Sequence, residues 1–261
     1  MPFAENNGIR YFKFDIFPDS ILQGVISRRG GVSPAPWDSL NVGGTVGDEK
    51  ARVRENRQRS FAAFGRKLVS IFDVWQVHSA DVVCAEAPME PGTDLIKADI
   101  ILTDRPDVTL YMRFADCVPL LFHDPVRQVI GIAHAGWMGT VRGVGRAAVE
   151  AMCARYGSRP GDIQAAIGPS IGPDHYEVGP DVTAKFQDIF GALAGGLIHN
   201  HEGHTYLDLW AANRLQLQQA GIEKIESSEI CTACHLEDWF SHRAEKGRTG
   251  RFGALMALQS Q

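Results

Sequence analysis

Residues 108–137 read VTLYMRFADCVPLLFHDPVRQVIGIAHAGW. Three apolar runs of strand length fall within them, at 108–114, 119–122 and 128–133, and a short turn at Asp124 and Pro125 separates the last two. Such runs predict buried strands, the second and third of them paired across the turn. From Gly139 to about Tyr156 apolar residues recur at helical spacing. Strands that alternate with helices indicate an α/β or α+β protein with a substantial sheet.

The same patterns predict further elements on both sides of this stretch. Strands are predicted at 11–14, 22–26, 68–77, 98–103 and 163–167. Helices are predicted at 49–64, 181–190 and 207–220, the first with Asp48 as its N-cap and the last ended by Gly221. Because no linker, low-complexity tract or repeat interrupts the chain, we expect residues 1–261 to form a single domain.

Composition excludes several classes of function. The chain has 261 residues, 44% of them hydrophobic, and a formal net charge of −5 without a clustered basic face, so nucleic acid is not an expected partner. The N-terminal residues are polar and no apolar run approaches the ~20 residues that span a bilayer, so we expect no membrane segment and a cytoplasmic location. The five cysteines are an odd number and widely spaced, which favours reduced thiols over a disulfide framework.

Three residues could form a reactive centre: His78, Cys117 and His134. Each lies at the end of a predicted strand, where loops present functional side chains. One thiolate and two imidazoles could hold a zinc ion with a fourth position open. A cysteine and a histidine could equally form a nucleophile and its base. The spacings of 39 and 17 residues exclude a local zinc finger, and the residues alone leave both readings open.

Asp116 directly precedes Cys117. Its carboxylate could orient a ligand or act as a general base, or it could simply belong to a turn. Alternation along a strand would direct Asp116 and Cys117 to opposite faces, so both can share a pocket with His78 only if the chain bends before Pro119.

Several other motifs carry possible chemistry. Residues 231–235 have the C-x-x-C-H pattern of haem attachment, but we reject haem binding because no export signal is present. A structural zinc site would need a second ligand pair, and none lies nearby in the sequence. A redox pair formed by the two cysteines remains an alternative. The histidine-rich residues 199–204 are predicted to form a surface turn or hairpin. Residues 136–140 open a helix that could bind an anion, with Trp137 stacking on a ligand or lying in the core. The basic residues that could reach an anion are Arg28, Arg113, Arg243 and Arg251.

Taken together, the motifs resemble the laccase-domain family, also called polyphenol oxidases and described as purine nucleoside phosphorylases. The combination of ADCVP at 115–119 and HAGW at 134–137 is the most specific part of the resemblance, which covers about residues 12 to 255. The other matching segments are 27–33, 39–43, 46–48, 55–57, 76–78, 98–104, 167–171, 176–179, 231–232, 240–241 and 249–251.

The resemblance implies a single α/β sandwich with a mixed sheet. It also implies that His78, Cys117 and His134 bind a metal, usually zinc, with copper as an older assignment. The implied reactions are phosphorolysis of adenosine, inosine and methylthioadenosine, and deamination of adenosine. Asp116 and Cys117 are then the expected catalytic residues, and the residues expected to bind nucleoside or phosphate are Arg28, Asn41, Arg113 and Arg243.

Two positions depart from the family pattern. Met138 stands where an arginine commonly follows HAGW, and Ala244 replaces the second arginine of a doubled pair that begins at Arg243. If the missing arginines hold an anion, another arginine must replace them. Three alternatives remain beside the zinc enzyme: a Cys–His hydrolase with Cys117 as nucleophile, a copper-dependent phenol oxidase, and a metal-binding or thiol-sensing module without catalysis. Multicopper oxidation fits poorly because only two of the nine histidines lie in segments that resemble a site.

Overall fold

The structure is a computed structural model that describes residues 3–259. The strands are β1 Phe3–Asn6, β2 Ile9–Phe12, β3 Ile21–Ile26, β4 Ile71–Phe72, β5 Val82–Cys84, β6 Ile100–Thr103, β7 Thr109–Phe114, β8 Val118–Asp124, β9 Val129–Ala135, β10 Gln164–Ile167, β11 Ile198–His201, β12 His204–Leu207, β13 Lys224–Ser227 and β14 Phe252–Leu258. The α-helices are α1 Lys50–Ala63, α2 Trp137–Val141, α3 Val144–Tyr156, α4 Pro180–Phe190 and α5 Leu209–Gln219. Short 3-10 helices cover Leu68–Ser70, Pro160–Asp162 and Gly191–Gly196.

Two six-stranded sheets dominate the fold. The first has the order β1-β2-β3-β14-β7-β4 and the second the order β13-β10-β8-β9-β6-β5. Both are mixed, because β4 runs parallel to β7 in the first sheet, and β5–β6 and β10–β13 are parallel pairs in the second. The hairpin β8–β9 pairs Val118 with Ala135 and Asp124 with Val129, which confirms the predicted pairing across the Asp124-Pro125 turn.

The two sheets pack face to face, with helices on both outer faces. Successive side chains of a strand point to opposite faces of its sheet, so one set lies between the two sheets and the other faces outward. Phe114 of β7 and Ile132 of β9 belong to the core between the sheets, whereas Tyr111 of β7 points outward and packs on Phe61 of α1. On the outer face of the second sheet, α3 packs on β9 and α5 packs on β10, and α4 joins this layer through α2. The predicted α/β sandwich with mixed sheets is therefore confirmed.

Three local predictions were wrong. Residues 68–77 do not form a buried strand but a 3-10 turn and the two-residue β4, with Val69 71% exposed. The helix predicted from 139 is divided into α2 and α3 because Gly143 adopts a left-handed φ of 75°. Asp48 does not cap α1; Glu49 holds the N-cap position, and the Asp48 carboxylate accepts hydrogen bonds from Ser33 and Asn41.

Other predictions match the structure. The histidine-rich segment is the hairpin β11–β12, and Gly221 follows α5 with a φ of 90°. In the part of the chain that the structure describes, no helix is both long and apolar enough to cross a membrane. The β8–β9 register also positions the reactive centre, because pairing of Val118 with Ala135 brings Cys117 beside Gly136 at one end of the sandwich.

Candidate metal centre and active site

His78, Cys117 and His134 meet at this end of the sandwich. Cys117 Sγ lies 4.0 Å from His78 Nε2, and one potential ligand atom from each of the three residues falls within 4.8 Å of the others. Each residue comes from a different part of the fold: His78 from the loop after β4, Cys117 from the residue before β8, and His134 from β9. The fold thus brings together the three ligands that the resemblance implied.

Asp99 holds the two histidines in place. Its Oδ1 lies 2.8 Å from His134 Nδ1, and its Oδ2 accepts the backbone N–H groups of Val77 and Ser79 on both sides of His78. Such a carboxylate fixes the imidazole tautomer and leaves Nε2 free to bind a metal. Sequence reasoning missed this role, although a lone acidic residue directly before the apolar strand β6 is a signal for it, since a buried charge requires partners.

The electrostatics favour a thiolate at Cys117. Burial raises the pKa of the Cys117 thiol, but His134 and His78 overcome it and lower the pKa to about 6. Burial lowers the pKa of His134, but the Cys117 thiolate and Asp99 raise it to about 9. Burial likewise opposes ionisation of Asp99, yet hydrogen bonds from His134, Ser79 and Val77 hold its pKa at about 2. These directions favour a thiolate at Cys117 and a protonated imidazole at His134.

The backbone around the centre is unusual at three positions. A Cβ at Gly136 would lie 2.8 Å from Cys117 Sγ and 3.1 Å from His78 Cδ2, so a larger residue there would push these two side chains apart. His78 and Asp116 both adopt left-handed conformations, with φ of 59° and 79°. Such conformations are uncommon for residues other than glycine and concentrate at functional sites.

The left-handed backbone at Asp116 is the bend that allows the side chains of Asp116 and Cys117 to share a pocket. Because of it, Asp116 and Cys117 line the same cavity. The Asp116 carboxylate accepts a 2.7 Å hydrogen bond from Thr232 Oγ1 and another from the backbone N–H of Arg243. Asp116 therefore connects the metal centre to the two C-terminal loops that contain these residues.

A cavity of about 520 Å³ opens above the trio. Small-molecule sites commonly have volumes of about 300–1,000 Å³. Its walls combine aromatic rings and cationic groups, namely Trp75 and Tyr176 with Arg57, Arg113, Arg243 and Arg251. The cavity is suited to a ligand that has both a planar ring and an anionic group.

The arginines of the cavity differ in whether their guanidinium groups already pair with a carboxylate of the protein. Arg113 forms an ion pair with Asp73. Arg243 lies over the Tyr176 ring at 5.2 Å and donates to the Glu177 carbonyl, and Arg251 donates to the Gly250 carbonyl. Among residues 3–259, no carboxylate forms an ion pair within 4.0 Å with the guanidinium group of Arg243 or of Arg251, whereas Arg113 has one. These two are therefore the best placed to bind an anion.

Two expected ligand-binding residues lie outside the cavity. The buried Arg28 donates to the carbonyls of Asp38, Leu236 and Trp239 and pairs with Glu245 at 3.1 Å. Asn41 is fully buried, and its Oδ1 accepts the backbone N–H groups of Gly43 and Arg251. Arg28 stabilises the loops, and Asn41 supports two segments that line the cavity.

The departures from the family pattern lie away from the metal centre or at the surface. Met138 and Trp137 line a separate groove between α2 and α4, where Lys185 sits 5.0 Å from the Trp137 ring. Ala244 is exposed and follows Arg243. Met138 therefore lines that groove and not the cavity above the trio.

The fold and the site define a two-sheet sandwich protein with a His–Cys–His centre at the floor of a cationic cavity. The chain belongs to the family described as multi-copper polyphenol oxidoreductase laccase, whose model matches residues 22–259. This match confirms the family that the motifs resembled.

Curated relatives and solved structures agree with this assignment. A protein of Deinococcus radiodurans named purine nucleoside phosphorylase is 41% identical over 232 residues, which are 89% of this chain and 87% of the relative. Purine nucleoside phosphorylase YlmD of Bacillus subtilis is 36% identical, over 92% of this chain and 89% of its own. The crystal structure of the Bacillus licheniformis hypothetical protein YfiH superposes with a TM-score of 0.92 at 34% identity, covering 99% of both chains.

Proposed function

We propose that this protein is a zinc-dependent purine nucleoside phosphorylase that also deaminates adenosine. The observation that carries the proposal is the meeting of three metal-binding side chains at the floor of a cavity that also contains Arg243 and Arg251. The relatives in Deinococcus and Bacillus are named purine nucleoside phosphorylases, which supports the phosphorylase assignment.

The donor set fits zinc. Zinc binds thiolate and imidazole, and catalytic zinc commonly has three protein ligands and one open position. The Asp99 hydrogen bond to His134 Nδ1 leaves Nε2 for the metal, and the trio faces the cavity. When bound there, zinc would supply a Lewis acid and lower the pKa of water to about 7.

Copper fits the family description but not multicopper oxidation by this chain. Several copper ions would need several clusters rich in histidine. Among residues 3–259, two groups of potential metal ligands occur, and neither contains more than two histidines. A single copper at the trio remains the alternative that metal analysis would reveal.

For phosphorolysis, the cavity residues must hold phosphate beside the sugar of adenosine, inosine or methylthioadenosine. Arg243 and Arg251 would donate charge-assisted hydrogen bonds to phosphate, and Tyr176 and Trp75 would contact the nucleoside. The bond between C1′ and the purine nitrogen breaks, a bond from C1′ to a phosphate oxygen forms, and the base takes up a proton. That proton comes from the attacking hydrogen phosphate, and we assign its relay to the departing base to Asp116, whose carboxylate lies at the cavity wall.

A product assay tests this proposal. Purified protein is incubated with adenosine and phosphate, after metal removal and after zinc addition, and the products are separated by chromatography. Adenine with ribose 1-phosphate indicates phosphorolysis, and inosine indicates deamination. We expect zinc to restore both products, and we expect no restoration in Cys117→Ala.

Two results would contradict the zinc mechanism. Full activity in the metal-free protein, lost only in Cys117→Ala, would favour a Cys–His nucleophile, for which the thiolate–imidazolium pair is suited. No conversion of any nucleoside by the zinc-loaded protein would favour a binding or sensing module.

A further inference from the structure

A second group of metal-binding side chains lies outside the active-site trio. Cys231 and Cys234 come from the C-x-x-C segment, and Asp174 and His175 come from the loop before α4. One potential ligand atom from each of the four residues falls within 4.8 Å of the others. The second ligand pair that the C-x-x-C segment lacked in the sequence is thus supplied by a loop about sixty residues earlier in the chain.

The distances within this group match a tetrahedral site. His175 Nδ1 lies 3.7 Å from Cys231 Sγ and 3.5 Å from Cys234 Sγ, and Cys234 Sγ lies 3.3 Å from Asp174 Oδ2. With Zn–S bonds of about 2.3 Å and Zn–N bonds of about 2.0 Å, the sulfur-to-nitrogen edge of a tetrahedron is about 3.5 Å. The two cysteines are free thiols, so no disulfide competes for the sulfur atoms.

The surrounding backbone is arranged as in a thiolate site. The N–H of Gly172 donates to Cys231 Sγ at 3.2 Å, which favours a negatively charged sulfur. A Cβ at Gly172 would lie 2.6 Å from Asp174 Oδ1 and 3.0 Å from Cys231 Cβ. Glycine at this position therefore allows the two loops to approach closely enough for their four side chains to meet.

We propose that Asp174, His175, Cys231 and Cys234 bind a second, structural zinc ion. Two thiolates, one imidazole and one carboxylate complete four-coordination and leave no open position, in contrast to the three ligands of the trio. Zinc binding releases the two thiol protons to solvent and involves no change of oxidation state. His175, Asp174 and Cys234 are exposed, so the ion can enter from the surface.

The second site would fix a wall of the catalytic cavity. Thr232 lies between the two cysteines, and its hydroxyl donates to Asp116. Tyr176 directly follows His175, and its ring lies beneath Arg243. A zinc ion that joins the two loops would therefore hold Asp116, Tyr176 and Arg243 in their positions without touching the substrate.

Metal stoichiometry tests the proposal. The full-length chain is purified under reducing conditions, stripped with a chelator, reloaded with Zn²⁺ and analysed by mass spectrometry of the metal. We expect two zinc ions per chain in the unmodified protein, one in Cys234→Ser and one in Cys117→Ala. Cys153→Ser, at a half-buried cysteine outside both groups, is the matched control and should retain two.

Cobalt titration of the unmodified protein gives a second readout that needs no variant. Because both sites contain thiolate, each of two equivalents of Co²⁺ should add tetrahedral d–d and thiolate charge-transfer absorbance, and the titration should end after one equivalent in Cys234→Ser and in His175→Ala. One metal ion per chain, bound only by the trio, would overturn the proposal. So would a disulfide between Cys231 and Cys234 in freshly purified protein that resists zinc loading. Neither result depends on whether nucleosides are converted.

Discussion

The carboxylate of Asp99 accepts a 2.8 Å hydrogen bond from His134 and also binds the backbone on both sides of His78. One buried side chain thus positions two of the three ligands. Loss of such a carboxylate commonly reduces metal affinity by about 10- to 100-fold. We expect Asp99→Asn to reduce zinc affinity to this extent, measured by competition with a chromophoric chelator. Asp188→Asn, at an exposed position of α4, is the control; equal affinities in all three proteins would contradict the role of Asp99.

Gly136→Ala tests the close approach of the backbone to the centre. The new methyl group would lie 2.8 Å from Cys117 Sγ, so the two ligands must move apart. We expect weaker zinc binding, a loss of turnover, and a decrease of about 1–3 kcal/mol in the free energy of unfolding. Gly161→Ala is the control, because a Cβ there meets no atom within 4 Å. Normal zinc content and turnover in Gly136→Ala would show that the geometry at Gly136 is not restrictive.

The reactivity of Cys117 should depend on pH in a characteristic way. Its pKa in the metal-free protein is about 6, because His134 and His78 outweigh the effect of burial. Only the thiolate reacts with iodoacetamide, so the alkylation rate should rise between about pH 5 and 7 and then level off, whereas an ordinary thiol still gains reactivity above pH 8. The site is identified by peptide mass spectrometry, with Cys153 as internal reference. Zinc should protect Cys117, and a rate that still climbs above pH 8 would contradict the low pKa.

Arg251 should act in phosphorolysis rather than deamination. A charge-assisted hydrogen bond is worth about 1.5–3 kcal/mol, so Arg251→Gln should raise the KM for phosphate by roughly 10- to 100-fold. Inosine formation without phosphate should change little, since that reaction does not use the anion. Steady-state kinetics with both assays separates the two effects. Arg248→Gln, at an exposed position nearby, controls for general charge loss; an equal decrease of both reactions in Arg251→Gln would indicate a different role.

Arg28 should contribute to stability and not to phosphate binding. Its guanidinium is buried against Glu245 and three backbone carbonyls. Removal of one partner from such a group leaves the others unpaired, at a cost of about 3 kcal/mol. Urea unfolding of Arg28→Met should show this decrease, while the KM for phosphate of the folded fraction stays unchanged. An increased KM without loss of stability would restore the phosphate-binding role.

The family resemblance, and not the spacing of the residues, singled out His78, Cys117 and His134 as expected metal ligands, but it did not predict which neighbours support them. Arg28 and Asn41 lie in segments as characteristic as those of His78, and their task is to hold loops together. Only the fold reveals this difference. A sequence alone does not distinguish a residue that binds substrate from one that binds a backbone carbonyl far away in the chain.

Errors in the fold have similarly local causes. The apolar residues at 68–77 suggested a buried strand, but Val69 is largely exposed and the segment contributes only the two-residue edge strand β4. Helical spacing continued through Gly143, whose left-handed backbone ends one helix and starts another. The central strands were predicted well because each is buried on both faces, which requires a continuous apolar run.

The left-handed backbone at His78 and Asp116 makes the geometry of the trio depend on residues outside it. Each such conformation costs roughly 1–2 kcal/mol, which the surrounding contacts must offset. The Asp99 carboxylate binds the backbone on both sides of His78, and the Asp116 carboxylate binds Thr232 and the Arg243 backbone. A substitution at Asp99 or Thr232 can therefore distort the trio although neither residue belongs to it.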